Sequence, residues 1–459
     1  MVKMEHQKRL FIDDEILSWI TDITDDEINE VHKKSLVPFY DQLFLEGHGA
    51  YLKDYTGKEF LDCTAQAWTC NIGFANPDVA FAVGEQLKRL THVRYGFPTI
   101  PRIKFIHKLT SITPGNLKKI AVNAMGGGAA IEAALRLAMI NKPDAEHFYT
   151  FTRGYHGSSL ATMTLSTRFA GVTRFRSWGL DKVSKIPFPY CYRCPMGQEN
   201  EKTCHLECFE LAKYMIEYGS VDKVCGILME PLQAPGGHIP APKRYLRELQ
   251  SFTQKNDIFL IFDESQVFTR IGYWFSSDYY DGIIPDITCL TKAVGGGLPM
   301  GVTIARDDLI GFNAAEEHTT FGANPLMFAS GLVFLNYIEK ADLLKNTREQ
   351  GDYLTSKLKQ LQKKYDVIGD IRCPGLFIGV ELIKDPETKE PGNALCSDLI
   401  EEAMSQGVIF GHSAPISSDS GKLFRNVLKI KPPLIITRED SDHILEVFEN
   451  SLIEAIDYM

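Results

Sequence analysis

The sequence has no run of about 18 consecutive apolar residues, the least that crosses a bilayer as a helix, so nothing in it reads as a membrane span. It has no basic surplus. The 59 acidic and 49 basic side chains leave a formal charge of −10, which argues against a general nucleic-acid or anionic-membrane partner. The N-terminus, MVKMEHQKRLFIDDEILSW, lacks the apolar stretch of a secretory signal and is too acidic for a transit peptide. The cytoplasm is the compartment this predicts. Cysteine is thinly spread. Cys63, Cys70, Cys225, Cys289, Cys373 and Cys396 are scattered, most of them inside apolar runs, where cysteine behaves as a small core residue.

What is present is ordinary for a globular chain: 459 residues, 44% hydrophobic and 24% charged, enough for two domains and a large core. From about Lys119 short apolar runs alternate with helical stretches. The runs are Ile120–Val122, Phe148–Phe151, Val183–Ile186, Val224–Leu228, Phe259–Phe262, Ile287–Leu290 and Val302–Ala305. Near-continuous apolar runs separated by crossovers predict an α/β fold with a seven-stranded, mainly parallel sheet. Before it, residues 1–70 read as an N-terminal arm with helical spacing in Asp14–Ile23 and Asp26–Ser35, then a hairpin over Gly49–Asp62 around Thr56-Gly57. Residues 71–325 form the large domain, with an amphipathic helix at Asp78–Leu90 and a loop at Thr91–Pro98. Residues 326–459 form a smaller α+β domain. It has helical spacing in Leu326–Lys364, two strands in Val367–Leu382, helices in Asn393–Gln406 and Ser441–Tyr458, and a polar loop at Gly411–Gly421.

Two residues stand out at strand ends. Asp263 closes the run IFLIF, and Lys292 follows the run that begins at Ile287 and leads into Gly295–Gly297. They are 29 residues apart, room for one strand–crossover–strand unit. In an open α/β sheet the carboxyl ends of strands carry the ligand site. A lysine whose amine is neutralised by burial attacks carbonyls. A carboxylate facing the same site keeps a pyridine nitrogen protonated, and the pair is what pyridoxal phosphate requires.

With these residues in place, FDESQVFTRIG (Phe262–Gly272), TKAVGGGLPMG (Thr291–Gly301) and TTFGANP (Thr319–Pro325) resemble the class III, omega-type aminotransferases of fold type I. The resemblance runs from about Gly49 to the C-terminus. It implies pyridoxal 5′-phosphate held as an aldimine on Lys292, Asp263 at the ring nitrogen, and transfer of an amino group from an amine or amino acid to a 2-oxo acid. It further implies a homodimer with shared active sites. In NAMGGGAAIEAALRLA the glycines open a helix whose N–H groups would take the phosphate. Gly126, Gly128 and Ala129 stand where the family has Ser, Thr and Glu, so Gly127 and Gly128 contribute backbone donors only. By the same likeness Tyr155 stacks on the ring, His156 stands beside it, and Gln266 bonds the ring hydroxyl. Thr320 reaches the phosphate of the neighbouring subunit.

For substrate, the likeness points to Trp68 in the pocket wall and to Tyr95 and Phe97 on a loop from the partner. The family's GHxHP pattern is Gly73-Phe74-Ala75-Asn76-Pro77 here. Where relatives place a switching glutamate this chain has Pro235, and where they place its arginine partner it has Lys429. The dual-substrate device of the ornithine and 4-aminobutyrate enzymes is therefore absent. Lys429 and Arg425 are left as the candidates for binding a substrate carboxylate, with simple solvent exposure as the rival reading.

Two questions stay open on sequence. Cys191, Cys194, Cys204 and Cys208 form a CxxC–CxxxC cluster that resembles a structural zinc site, with its second pair one residue wider than usual; plain reduced thiols in an insertion are the alternative. The same cofactor residues would also serve a lyase, in particular a phospholyase-like elimination suggested by Ile368–Asp385 and Arg425–Pro433, or an amino-acid epimerase.

Overall fold

The computed structural model describes residues 11–40, 42–167, 181–198, 203–417 and 423–458. Its central sheet holds seven strands: β1 (Leu117–Asn123), β2 (His147–Phe151), β3 (Val183–Ile186), β4 (Val224–Met229), β5 (Phe259–Asp263), β6 (Ile287–Thr291) and β7 (Gly301–Arg306). They lie in the order β1-β7-β6-β5-β4-β2-β3. All pairings are parallel except those of β7, which runs antiparallel to both β6 and β1. Every residue of β2, β5 and β6 is buried, the condition that makes a strand read as an unbroken apolar run.

One face of this sheet is covered by the helix Gly127–Asn141. Its alanines, Ala130, Ala134 and Ala138, bring the helix close to β6 and β7. Thr303 Oγ1 on β7 donates to the Ala130 carbonyl at 2.8 Å, so a buried hydroxyl is satisfied at the contact. On strand termini, register does the rest. Phe262 pairs with Met229 and Asp263 with Cys289, so Glu230, Asp263 and Lys292 emerge from the carboxyl ends of the neighbouring strands β4, β5 and β6.

A second sheet joins the two ends of the chain. Strands Phe44–His48, Tyr51–Asp54 and Glu59–Cys63 run into Val408–His412, Val427–Ile430, Ile378–Asp385 and Ile368–Arg372. The junction is a parallel pairing of Leu61 with Val408. Helices Pro325–Lys340, Leu343–Lys364, Asn393–Ser405 and Arg438–Asp457 pack with this sheet and with each other.

The expected helical stretch 326–364 is two helices, broken where Asp342 takes a φ of +47°. A helix over Ile100–Ile112 was not expected. It buries only Phe105 and Leu109, so its sequence carries no apolar stripe. The expected polar loop at 411–421 is partly strand: Gly411 and His412 end Val408–His412, and Ile416–Ser417 pairs with Leu423–Phe424, while residues 418–422 lie outside the described residues. No described helix is long and apolar enough to cross a membrane.

Candidate active site

A cavity of about 440 Å³ opens at the carboxyl ends of the strands and is walled by Gly127, Gly128, Tyr155, His156, Asp263 and Lys292. Residues expected from four separate stretches of sequence thus meet in one place. Lys292 follows β6 directly with a φ of +58°, a conformation that a lysine adopts only when its surroundings enforce it. Its backbone N–H is held by Thr291 Oγ1 at 2.6 Å. Burial lowers the Lys292 amine below the ordinary lysine value, while the charges of Asp263 and Glu230 pull the other way.

Asp263 is buried at the floor. His156 Nδ1 lies 2.8 Å from its Oδ2, and the Ser265 N–H donates to Oδ1 at 3.1 Å, with the Ser265 hydroxyl on the same oxygen. Burial alone would raise this carboxyl. The His156 contact, the Ser265 bond and the Lys292 charge together hold it below the usual aspartate range. Glu230, one strand over, goes the opposite way. Burial and the neighbouring Asp263 charge push it up to about 8, although the Tyr155 and Ala234 N–H groups donate to it at 2.9 and 3.1 Å. Two adjacent buried carboxyls are thereby split, one ionised and one protonated at neutral pH.

The glycines build a bare cradle. A methyl placed on Gly127 would stand 3.0 Å from Thr291 Cγ2. One on Gly157, whose φ is +134°, would stand 2.5 Å from Thr162 Oγ1 and 3.1 Å from Gly128 Cα. No side chain caps the helix that starts at Gly127, so its first N–H groups face the cavity undressed. Beside it, Gln266 is buried with its Oε1 lacking any partner among the described residues.

A second shell of positive charge surrounds Trp68. Its indole stands 5.7 Å from Lys292 Nζ, 5.2 Å from Lys429 Nζ and 3.5 Å from Lys431 Nζ. Trp68 ends a run of four non-glycine residues, Ala65 to Trp68, all at positive φ. Asp62 pins that run by accepting from the Thr64 N–H at 2.7 Å and the Gln66 N–H at 3.0 Å, and Lys431 Nζ donates to the Thr64 carbonyl at 3.0 Å. Lys429 is only 4% exposed, which overturns solvent exposure as its explanation. Burial presses its amine down to about 7. Lys431 and Ser265 had no signal of their own in the sequence; the alternation Lys429-Ile430-Lys431, which puts two lysines on one face of a strand, is the feature that would have found the first.

Three expected residues lie elsewhere. Phe97 is 52% exposed under Arg94, Thr320 is exposed, and neither walls the cavity that holds Lys292. Arg425 is half-buried, its guanidinium bonded to His412. Cys191, Cys194, Cys204 and Cys208 line one small cavity of about 30 Å³, where Cys204 Sγ accepts from the Leu206 N–H at 3.2 Å. All four are free thiols, and among the described residues no set of three histidine, cysteine or acidic side chains is arranged to hold a metal ion.

Comparison with known proteins gives concordant matches. The family pattern for aminotransferase class-III fits residues 35–452. The isoleucine 2-epimerase of Lentilactobacillus buchneri is 30% identical over 431 residues, covering 93% of each chain. The mitochondrial alanine–glyoxylate aminotransferase 2 homolog 2 of Arabidopsis thaliana is 31% identical across 89% of this chain and 82% of its own. A solved aminotransferase from Bacillus anthracis superposes with a TM-score of 0.83 at 26% identity, over 94% of this chain and 100% of that one.

Proposed function

From the premise that this chain belongs to the class-III aminotransferases, which use pyridoxal 5′-phosphate, we propose the residues that carry its reaction. The residues fit that cofactor on three counts. Bare N–H groups at the helix that starts with Gly127 suit a phosphate, and the glycine cradle leaves no Cβ in its way. The orphaned Gln266 Oε1 suits a ring hydroxyl. The ionised Asp263 suits a protonated ring nitrogen.

When bound, the cofactor supplies an aldehyde that takes up amino groups and a ring that withdraws electrons. The rest belongs to the protein. Lys292 would hold the cofactor's aldehyde end, and its amine, whose hold on a proton is weakened by burial, is the base placed to take the proton from the substrate α-carbon. Asp263 stays negative because His156 and Ser265 satisfy its oxygens. Tyr155 offers a ring face in the cavity wall, and Lys429 with Trp68 forms the position for a carboxylate beside the amino group. The activity is transfer of an amino group to a 2-oxo acid.

The observation that carries this reading is the junction of β4, β5 and β6, where Lys292 and Asp263 enter one cavity. The test is the visible absorbance of the cofactor-loaded protein. Lys292→Ala is expected to abolish the band of the lysine-bound cofactor, and a colourless wild type after reconstitution would defeat the reading. A second reading, epimerisation, draws on the isoleucine 2-epimerase relative. An amine donor given alone separates the two: accumulation of the pyridoxamine form means transfer, and inversion of the donor without it means epimerisation.

Assembly as a homodimer is part of the proposal. It is supported by the exposed apolar side chains Phe81, Phe97, Ile100, Ile103 and Phe321, and by Thr320 standing outside this chain's own cavity. Cytoplasmic location belongs here too, supported by ten cysteines that are free thiols; recovery of the protein from a secreted fraction would sink it.

A further inference from the structure

One charged group beside the site takes no part in that chemistry. Arg153 follows β2, two residues before Tyr155, and its φ is +69°, a conformation that favours glycine. Its Cβ packs on the turn after Glu230, since a methyl built on Gly236 would stand 3.3 Å from it. The guanidinium carbon lies 5.1 Å from the Tyr190 ring centre and 4.9 Å from that of Phe424. Among the described residues no carboxylate forms an ion pair with it.

The acids of this neighbourhood are already engaged. Glu381 takes Arg193 Nε, the Tyr190 hydroxyl and, at 2.7 Å, Arg372 Nη1, and Asp370 bonds the same arginine at 2.6 Å. Two guanidinium groups, those of Arg193 and Arg372, therefore take up both carboxylates. Arg153 carries the unshared charge, its guanidinium lying beside two aromatic rings and its N–H groups free to meet an acceptor.

We infer that Arg153 is a specificity-determining residue that receives the second, distal acidic group of a dicarboxylic substrate, pairing bidentately with its carboxylate between Tyr190 and Phe424. The inference rests on the aminotransferase reading of the site. Lys429 stands by Trp68 and Lys292, and Arg153 by Tyr190 and Phe424, so the two cations define separate anion positions. An aminotransferase must also admit a partner substrate without the second acid. Because Arg153 breaks no ion pair to bind, it admits such a substrate at no electrostatic cost, which is what the missing glutamate–arginine switch at Pro235 and Lys429 would otherwise regulate.

The test compares glutarate with valerate, acids of equal carbon number, on the cofactor-loaded enzyme. Binding is read both from the visible band and from the ligand-induced rise in melting temperature. Arg153→Gly is expected to weaken glutarate about tenfold or more, the loss of one charge-assisted pair, and to leave valerate unchanged. Arg153→Lys is expected to recover part of the affinity. Since glycine suits a φ of +69°, Arg153→Gly is expected to melt no lower than wild type. The inference fails if wild type holds glutarate no tighter than valerate, if Arg153→Gly weakens both alike, or if its melting temperature drops without selective loss. A wild type lacking the visible band would overturn the aminotransferase reading instead, and the thermal shift still reports on Arg153 in that case.

Discussion

Replacing Lys429 by methionine should make the substrate-free protein more stable, and should do so most at low pH. Lys429 is 4% exposed and has no hydrogen-bond acceptor among the described residues. Its amine titrates at about 7, against an ordinary lysine value of 10.5. A lysine whose folded value lies below its unfolded value penalises the folded state wherever the chain must carry the proton. The penalty is complete below pH 7 and fades as pH climbs toward 10.5. Taking 1.36 kcal/mol per pH unit, it is about 5 kcal/mol at pH 6, about 4 at pH 7 and about 2 at pH 9. Methionine keeps the length against Trp68 and carries no charge to desolvate. With an unfolding entropy of about 2.1 cal/mol/K per residue, the chain should gain about 4 °C in melting temperature at pH 7 and about 2 °C at pH 9. Calorimetry across that range on wild type and Lys429→Met decides it. A variant that melts lower than wild type at pH 7, or a gap that fails to narrow with rising pH, refutes the picture of a buried, unpaired ammonium. The same variant should lose turnover of acidic substrates, an instance of stability exchanged for function.

Two further outcomes follow from the geometry. Gly157→Ala places a methyl against Thr162 Oγ1 and Gly128 Cα at a φ of +134°, so it should destabilise by about 1–3 kcal/mol and weaken pyridoxal phosphate about tenfold, as read by absorbance titration; unchanged affinity would show that the cradle tolerates a Cβ. If Thr320 serves the neighbouring subunit, mixing inactive Lys292→Ala with inactive Thr320→Glu under conditions of subunit exchange should restore roughly a quarter of wild-type activity through hybrids with one intact site. No recovery despite proven exchange would place Thr320 outside the active site.

Much of the fold was legible because buried parallel strands leave unmistakable runs. All seven runs became strands of one sheet, and the ends of two of them carried Asp263 and Lys292. Helix Ile100–Ile112 was illegible for the converse reason: two buried side chains among lysines, arginine and histidine make no stripe. The turn Ala65–Trp68 was hidden as well. Positive φ is usually announced by glycine or asparagine, and Ala-Gln-Ala-Trp announces nothing; Asp62 and Lys431, far apart in sequence, enforce it. Arg153 escaped notice because its meaning depends on which carboxylates are already spent on Arg193 and Arg372, and that requires the pairings themselves.

Pro235 and Lys429, the positions where the resemblance expects a glutamate–arginine pair, have defined roles in the structure. At Pro235 the backbone carbonyl accepts the Ala414 N–H at 3.0 Å, so the position serves to hold the loop before Ile416 rather than to offer a carboxylate. Lys429 is left with Glu230 as its attracting charge, and Glu230 is itself raised to about 8 by burial and Asp263. At pH 7 Lys429 is close to half-titration and Glu230 is mostly protonated, so the wall beside Trp68 has little fixed charge of its own until an anion arrives. An acidic substrate would then draw a proton onto Lys429, and binding above pH 7 should be accompanied by proton uptake, with the apparent affinity for the acid falling as pH rises through 8. An arginine at 429 would bind the same acid with no such dependence, because its charge does not titrate in that range.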